Sequence, residues 1–209
     1  MLNIAVLVSG GGTNLQALLD AERAGRIPGG KISLVISSNP RAYALERAKG
    51  AGVPTAVLRR RAFASQREYD AALLARLREG GIGLAVLAGF TTIVGGPVVA
   101  EFRNRIMNVH PSLIPSFCGE GYYGLRVHEE VLKRGVKVTG ATVHFVNEIC
   151  DGGPIILQKA VEVLPGDTPK ILQRRVMEQA EWQLLPQAAA LFCAGRLRVE
   201  NGKVTITGG

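Results

Sequence analysis

Asn108 and His110 stand two residues apart at the end of a short apolar run, Ile106-Met107-Asn108-Val109-His110, and Pro111 and Pro115 stop regular structure directly after it. In a strand, residues i and i+2 share a face, so an amide and an imidazole would converge on one point. An amide donates a hydrogen bond without titrating, and an imidazole can carry a proton near neutral pH, a pairing suited to a developing oxyanion. The same pattern also fits a satisfied polar pair closing a strand. Asp151, in the turn-rich stretch Asp151-Gly152-Gly153-Pro154, offers a third group. If that loop folds back over the strand end, its carboxylate pairs with His110 and favours the imidazolium. Asn108, His110 and Asp151 would then make an acid–base and oxyanion site without a covalent nucleophile. Ser112 and Cys118 are nearby nucleophile candidates, but Ser112 lacks the glycine-flanked elbow that exposes a catalytic serine. His144, alternating with Thr142 and Val146, and His128, on a helical stretch, read as packed or solvent-facing histidines.

A second candidate is Ser9-Gly10-Gly11-Gly12-Thr13-Asn14, between an apolar run and a helical pattern. Glycines let the backbone turn sharply, and the helix that follows offers free amide hydrogens to an anion, so a phosphate site is the natural inference. A dinucleotide fingerprint fits less well, because Leu15 occupies the third glycine position and Ser37-Ser38-Asn39 stands where a ribose-binding carboxylate belongs. No Gly-Lys-Ser/Thr follows, which excludes a nucleotide P-loop. A purely structural tight turn is the remaining alternative.

The elements that must position these groups alternate. Apolar runs at Ile4 to Val8, Ile32 to Ile36, Pro54 to Leu58, Leu84 to Ala88 and Ile106 to Val109 predict five strands. Helical spacing predicts helices over Leu15 to Ala24, Ala42 to Lys49 and Glu68 to Arg78. Repeated βα units imply a Rossmann-like α/β fold, a mostly parallel twisted sheet with helices on both faces. Beyond Pro115 a glycine- and tyrosine-containing loop, a helix over Leu125 to Arg134, and β-type runs at Lys137 to Val146 and Ile155 to Val163 follow. Asp167 and Thr168 can cap a long helix reaching about Ala194, and Asn201-Gly202 centres a terminal hairpin, so antiparallel additions are expected at this end. One domain over 1–209 is expected, with a phosphate-binding half at 1–110 and a half at 111–209 carrying the Asp151 loop and the long helix.

Composition narrows the class. With 209 residues, 47% of them apolar and 20% charged, the chain can bury a full core. The start, Met1-Leu2-Asn3, leads straight into a run too short for a signal or membrane segment, and a cytoplasmic location is expected. Three widely spaced cysteines, Cys118, Cys150 and Cys193, suggest neither a disulfide framework nor a zinc site, and no metal is expected. A net charge of +8 is compatible with nucleic acid, an acidic membrane or an anionic substrate. The basic clusters Arg59-Arg60-Arg61 and Arg174-Arg175 lack interleaved aromatics, so small-molecule substrates are expected rather than nucleic acid or membrane.

Several of these stretches together resemble the phosphoribosylglycinamide formyltransferase family. They are Ser9 to Leu18, Val86-Leu87-Ala88-Gly89-Phe90, Asn108 to Pro115, Thr142 to Val146, and Asp151 to Gln158. The Asn/His-Pro-Ser-Leu/Asp-Gly core is shared by the wider folate-dependent formyltransferase and deformylase superfamily, whereas the glycine-rich start points to the purine-pathway branch. The resemblance implies transfer of the formyl group of 10-formyltetrahydrofolate to the amine of 5-phosphoribosylglycinamide, with folate as cosubstrate and a homodimer possible. It gives Asn108, His110 and Asp151 the catalytic roles, Gly12, Thr13 and Asn14 the substrate phosphate, and Glu181, counted back from Pro186, the ribose. Leu87, Thr91, Thr92, Ile93, Val94 and Asn108 would line the folate pocket. Departures accompany the match: Thr91-Thr92 stands where the family commonly has Met-Arg, the last helix reads Glu181-Trp182 with one extra residue after Asp167, and the 117–124 loop is longer. A formyltetrahydrofolate deformylase, a formyltransferase for another amine, and a non-enzymatic nucleotide-binding module are the competing readings.

Overall fold

The computed structural model describes residues 1–208. Its centre is β1 (Leu2–Val8), in which Ile4 to Val8 are all but inaccessible to solvent. A run apolar at every position can be stable only where both faces of the strand are covered, and β1 has that place. The seven-stranded sheet runs β3-β2-β1-β4-β5-β6-β7, with β2 (Gly30–Ser37), β3 (Thr55–Val57), β4 (Ile82–Leu87), β5 (Ile106–His110), β6 (Val138–Phe145) and β7 (Ile155–Glu162). Strands β1 to β5 pair in parallel, and β6 and β7 add on antiparallel.

The chain builds outward from β1 to β3, then returns to lay β4 on the other side of β1. That reversal opens a crevice beyond the carboxyl ends of β1 and β4, where open α/β sheets take their ligands. Two apolar layers flank the sheet. One gathers α1 (Thr13–Arg23), α2 (Tyr43–Gly50) and the long C-terminal helix over Ile4, Val6, Val86 and Val143; the other sets α3 (Gln66–Glu79) and α4 (Gly96–Glu101) over Ala5, Leu7, Ala85 and Ile106. Each fully covered Leu, Ile or Val contributes about 1.5–3 kcal/mol relative to exposure. Helix α5 (Leu125–Lys133) buries Val127 and Val131 after the glycine-rich loop.

The expected long helix is present, with a defined interruption. It begins as α6 (Pro169–Val176), widens into a π turn over Met177–Glu181, and resumes as α7 (Trp182–Cys193). A π turn holds one more residue than an α turn. The extra residue noted before Glu181 in the sequence is therefore absorbed locally. Thr168 caps α6 by accepting the Ile171 N–H at 3.3 Å. Asp167 does not cap it: its carboxylate accepts the Leu164 N–H and pairs with Arg175, because the preceding turn and a last-turn guanidinium compete for it. At the end, β8 (Leu197–Glu200) and β9 (Lys203–Ile206) form the expected hairpin, with Asn201 and Gly202 both at positive φ as a two-residue turn requires.

Candidate active site

Register places the first candidate pair. Asn108 lies opposite Leu87 of β4 and opposite His144 of β6, and His110 follows on the same face, beyond the last residue of β4. Asn108, His110 and His144 thus project to one side. The segment after β6 folds back over this face and delivers Asp151, whose φ of 54° is unusual for a residue with a Cβ. Gly153 makes the fold-back possible, since a side chain there would strike the Phe145 carbonyl.

The Asp151 carboxylate is shared. Its Oδ2 accepts the Gly119 N–H at 2.9 Å and lies 3.4 Å from His110 Nδ1. Its Oδ1 lies 3.4 Å from Asn108 Nδ2 and 3.6 Å from His144 Nε2. Asn108 Nδ2 is also 3.2 Å from His144 Nε2. His144 Nδ1 sits 2.8 Å from the Phe145 carbonyl, which orients the ring so that Nε2 faces both the Asn108 amide and the Asp151 carboxylate. The other side of His110 is fixed by the Phe117 carbonyl, 2.9 Å from Nε2.

Electrostatics correct one expectation. Burial would raise the Asp151 pKa, but the His144 contact, the His110 ring and the Gly119 N–H together hold it below the usual carboxylate value. For His110 the balance goes the other way. Burial depresses its pKa more than Asp151 and the Phe117 carbonyl raise it, and His144 depresses it further. The free site therefore favours a neutral imidazole beside an ionised Asp151, not the imidazolium that carboxylate pairing alone would give.

The neighbouring nucleophile candidates are otherwise engaged. Ser112 is fully buried, with Oγ donating to the Ser116 carbonyl at 2.6 Å. Cys118 Sγ donates to the Pro115 carbonyl, and burial followed by the Asp151 charge pushes its thiol pKa up. Among the described residues no cluster of three or more His, Cys, Asp or Glu side chains could hold a metal.

The glycine loop closes over the end of β1. Gly12 has a φ of 72°, and a Cβ there would meet Ala44 of α2 at 2.6 Å, so no other residue fits. Gly10 and Gly11 face open space, and α1 begins with no side-chain cap on its first-turn N–H groups. Ser9 Oγ joins the loop to the neighbouring segments, lying 2.6 Å from Ser38 Oγ and accepting the Thr91 N–H at 2.9 Å. Asn14 turns inward and donates to Glu181 Oε2 at 2.6 Å, with its own Oδ1 buried and unpartnered. The Glu181 carboxyl is fully enclosed, and desolvation pushes its pKa up to about 7 despite the Asn14 bond. Asn14 and Glu181, 167 positions apart, are thereby brought into one group beside the loop.

The stretch after β4 is less uniform. Leu87 is buried in the second apolar layer and Val94 packs against that layer, whereas Thr91 and Ile93 are exposed. The stretch is held from beneath: Asp70 Oδ1 accepts the Gly95 N–H at 3.1 Å, and Gln66 Nε2 donates to Asp70 Oδ1 and to the Ile93 carbonyl.

The formyl transferase family profile matches residues 2–189. The chain belongs to the formyl transferase family. It is similar to the phosphoribosylglycinamide formyltransferases of Haemophilus influenzae, 41% identical over 100% of this chain and 95% of that protein, and of Escherichia coli, 38% identical over 99% and 94%. The human trifunctional purine biosynthetic protein adenosine-3 is 43% identical over 96% of this chain, which spans only 19% of that longer protein. Among solved formyl transferase structures, glycinamide ribonucleotide transformylase 1 from Symbiobacterium toebii superposes with a TM-score of 0.93, at 48% identity over 100% of this chain and 95% of that one. A formyltetrahydrofolate deformylase from Pseudomonas syringae shares the fold at a TM-score of 0.87 but only 22% identity, and this chain covers 66% of it.

His144 is the site residue that sequence reasoning set aside. Its alternation along a strand carried no sign of function; only the antiparallel register that places it opposite Asn108 reveals it. The Phe117 carbonyl and Gly119 N–H, backbone groups of an irregular loop, left no signal in residue type.

Proposed function

We propose that this chain transfers the formyl group of 10-formyltetrahydrofolate to the amine of 5-phosphoribosylglycinamide; the bacterial relatives it matches along nearly their whole length are named phosphoribosylglycinamide formyltransferases. The observation that carries the reading is the shared Asp151 carboxylate, which draws Asn108, His110 and His144 to one point without any activated nucleophile. Direct acyl transfer needs that composition. The attacking amine adds to the formyl carbon, the oxygen gains negative charge, and a proton must pass from the attacking to the departing nitrogen. Asn108 Nδ2 donates to the developing oxyanion. His110, neutral in the free site, takes the proton given up by the attacking amine and returns it to the departing nitrogen, and Asp151 stabilises the intervening imidazolium and fixes the ring.

Supporting groups divide the substrates between them. The uncapped amides after Gly12, with Thr13 and Asn14, hold the ribonucleotide phosphate, and Glu181 meets its ribose hydroxyls. Leu87, Thr91 to Val94 and Asn108 line the folate side. A deformylase would run the same trio with water as acceptor, and the phosphate-type loop argues against it. The test is incubation with 10-formyltetrahydrofolate with and without the ribonucleotide. Turnover that requires the ribonucleotide is expected; turnover without it would identify a deformylase.

A further inference from the structure

The glycine loop is held from one side only. Each of its three glycine carbonyls has a donor within the protein: Gly10 accepts the Ala44 N–H at 3.1 Å, Gly11 accepts Arg47 Nε at 2.8 Å, and Gly12 accepts the Gln16 N–H at 2.9 Å. The N–H groups of Gly11, Gly12 and Thr13 donate to no protein acceptor among the described residues. In a trans peptide the carbonyl and the next residue's N–H point in opposite directions. Tying the carbonyls back toward α2 and along α1 therefore turns three consecutive N–H groups away from the protein, the arrangement that makes an anion-binding concavity.

One of the two donors on α2 is a backbone amide that any residue at 44 would supply; the other is a side chain. Arg47 is half-buried and committed at several points. Besides the Gly11 carbonyl, it donates from a terminal nitrogen to Gln16 Oε1 of α1 at 3.0 Å, and its guanidinium carbon lies 5.0 Å from the centre of the Tyr43 ring, within cation–π reach. It joins the loop, α1 and α2. Among the described residues no carboxylate pairs with it, so its charge is uncompensated. A charged donor on a carbonyl also polarises that peptide and strengthens its N–H as a donor in turn.

We propose that Arg47, lying over Tyr43, is the positioning residue of the phosphate loop: it holds the Gly11–Gly12 peptide with its N–H turned to the ligand and supplies the charge that favours a phosphomonoester dianion. The proposal rests on the phosphate reading of Gly12 to Asn14 given above. Arg47 acts through the loop rather than by touching the reacting atoms, and its planar fork matters as well as its charge, because an ammonium is a single point that cannot bridge Gly11 and Gln16 in one plane over the ring.

The test compares the intact protein with Arg47→Met, which keeps the stem without the charge, and Arg47→Lys, which keeps the charge without the fork. Steady-state kinetics are measured for both substrates, with inorganic phosphate as competitor of the ribonucleotide. In Arg47→Met the ribonucleotide KM and the phosphate inhibition constant are expected to rise together, roughly tenfold to a hundredfold, while the folate KM and kcat at saturation move less than about twofold. Arg47→Lys should fall between the two proteins. Phosphate that does not compete in the intact protein would sink the phosphate reading and the proposal with it. Phosphate that competes equally well in the intact protein and in Arg47→Met would overturn the proposal alone. Equal losses in the folate KM and the ribonucleotide KM would overturn it too, as general damage to the fold, and full recovery in Arg47→Lys would overturn the positioning role by leaving charge alone at work.

Discussion

Asp151 Oδ2 lies 3.4 Å from His110 Nδ1, while its other oxygen faces His144 and Asn108. One carboxylate therefore faces two rings and an amide at once. Its backbone is held in the left-handed region, and residues kept in such conformations concentrate at functional sites.

The His110 ring should titrate below the ordinary histidine value of 6.5, because burial outweighs its carboxylate partner. Asp151→Asn removes the main opposing influence and should lower the value further. Between the depressed folded value and 6.5 the unfolded chain binds the extra proton, so this residue's contribution to stability is lost as pH falls through that window. Titration of the ring by NMR in both proteins checks the order; a wild-type value above 6.5 would contradict it.

His128 extends the same physics away from the site. It is fully buried on α5 with neither ring nitrogen partnered, and burial followed by the His110 ring pushes its pKa down to about 4. Acidification from 6.5 toward 4 should favour the unfolded chain, which takes up the proton first. His128→Leu should raise the Tm by several degrees, more at pH 5 than at pH 8, at about 2–4 °C per kcal/mol for a chain of this size. Equal shifts at the two pH values would argue against a neutral, unpartnered ring.

Glu181→Gln should separate stability from binding. With its folded pKa raised to about 7, the wild-type carboxyl contributes stability that is fully present below its unfolded value of 4.5 and is lost as pH rises through 7. The neutral amide lacks this loss, so the variant should gain on wild type between pH 5 and pH 8 by an amount on the order of 1–3 kcal/mol. If Glu181 meets the ribose as proposed, the KM of the ribonucleotide should rise roughly tenfold in the variant. Denaturant titrations at the two pH values and steady-state kinetics read the two effects.

Gly95→Ala tests the support beneath the stretch proposed to line the folate side. A Cβ at this position would fall on the Asp70 carboxylate, so the Gly95 N–H bond to Asp70 must break or the loop must shift. A loss of about 1–3 kcal/mol in stability is expected, with a raised KM for the folate. A variant with unaltered folate kinetics would show that the Asp70 anchor has no bearing on the pocket.

The parts of the fold that could be read from sequence were those with a strong local signal. The all-apolar run Ile4 to Val8 announced a central strand, and Asn201-Gly202 announced the hairpin turn. What escaped were relationships set by register and loop path. His144 owes its place to antiparallel pairing with Asn108, and the neutral state of His110 follows from a degree of burial that residue type does not carry. The π turn behaves similarly: the sequence shows an extra residue after Asp167, and only packing decides that Met177–Glu181 absorbs it and keeps Glu181 on Asn14.

The central claim, that Asp151 and His110 act together on the formyl group, is tested most directly by kcat at saturating concentrations of both substrates in Asp151→Asn and His110→Ala. Each substitution is expected to lower kcat on the order of 10²-fold or more, with the double variant little worse than either single one. A kcat within a few-fold of wild type in either single variant would contradict the mechanism.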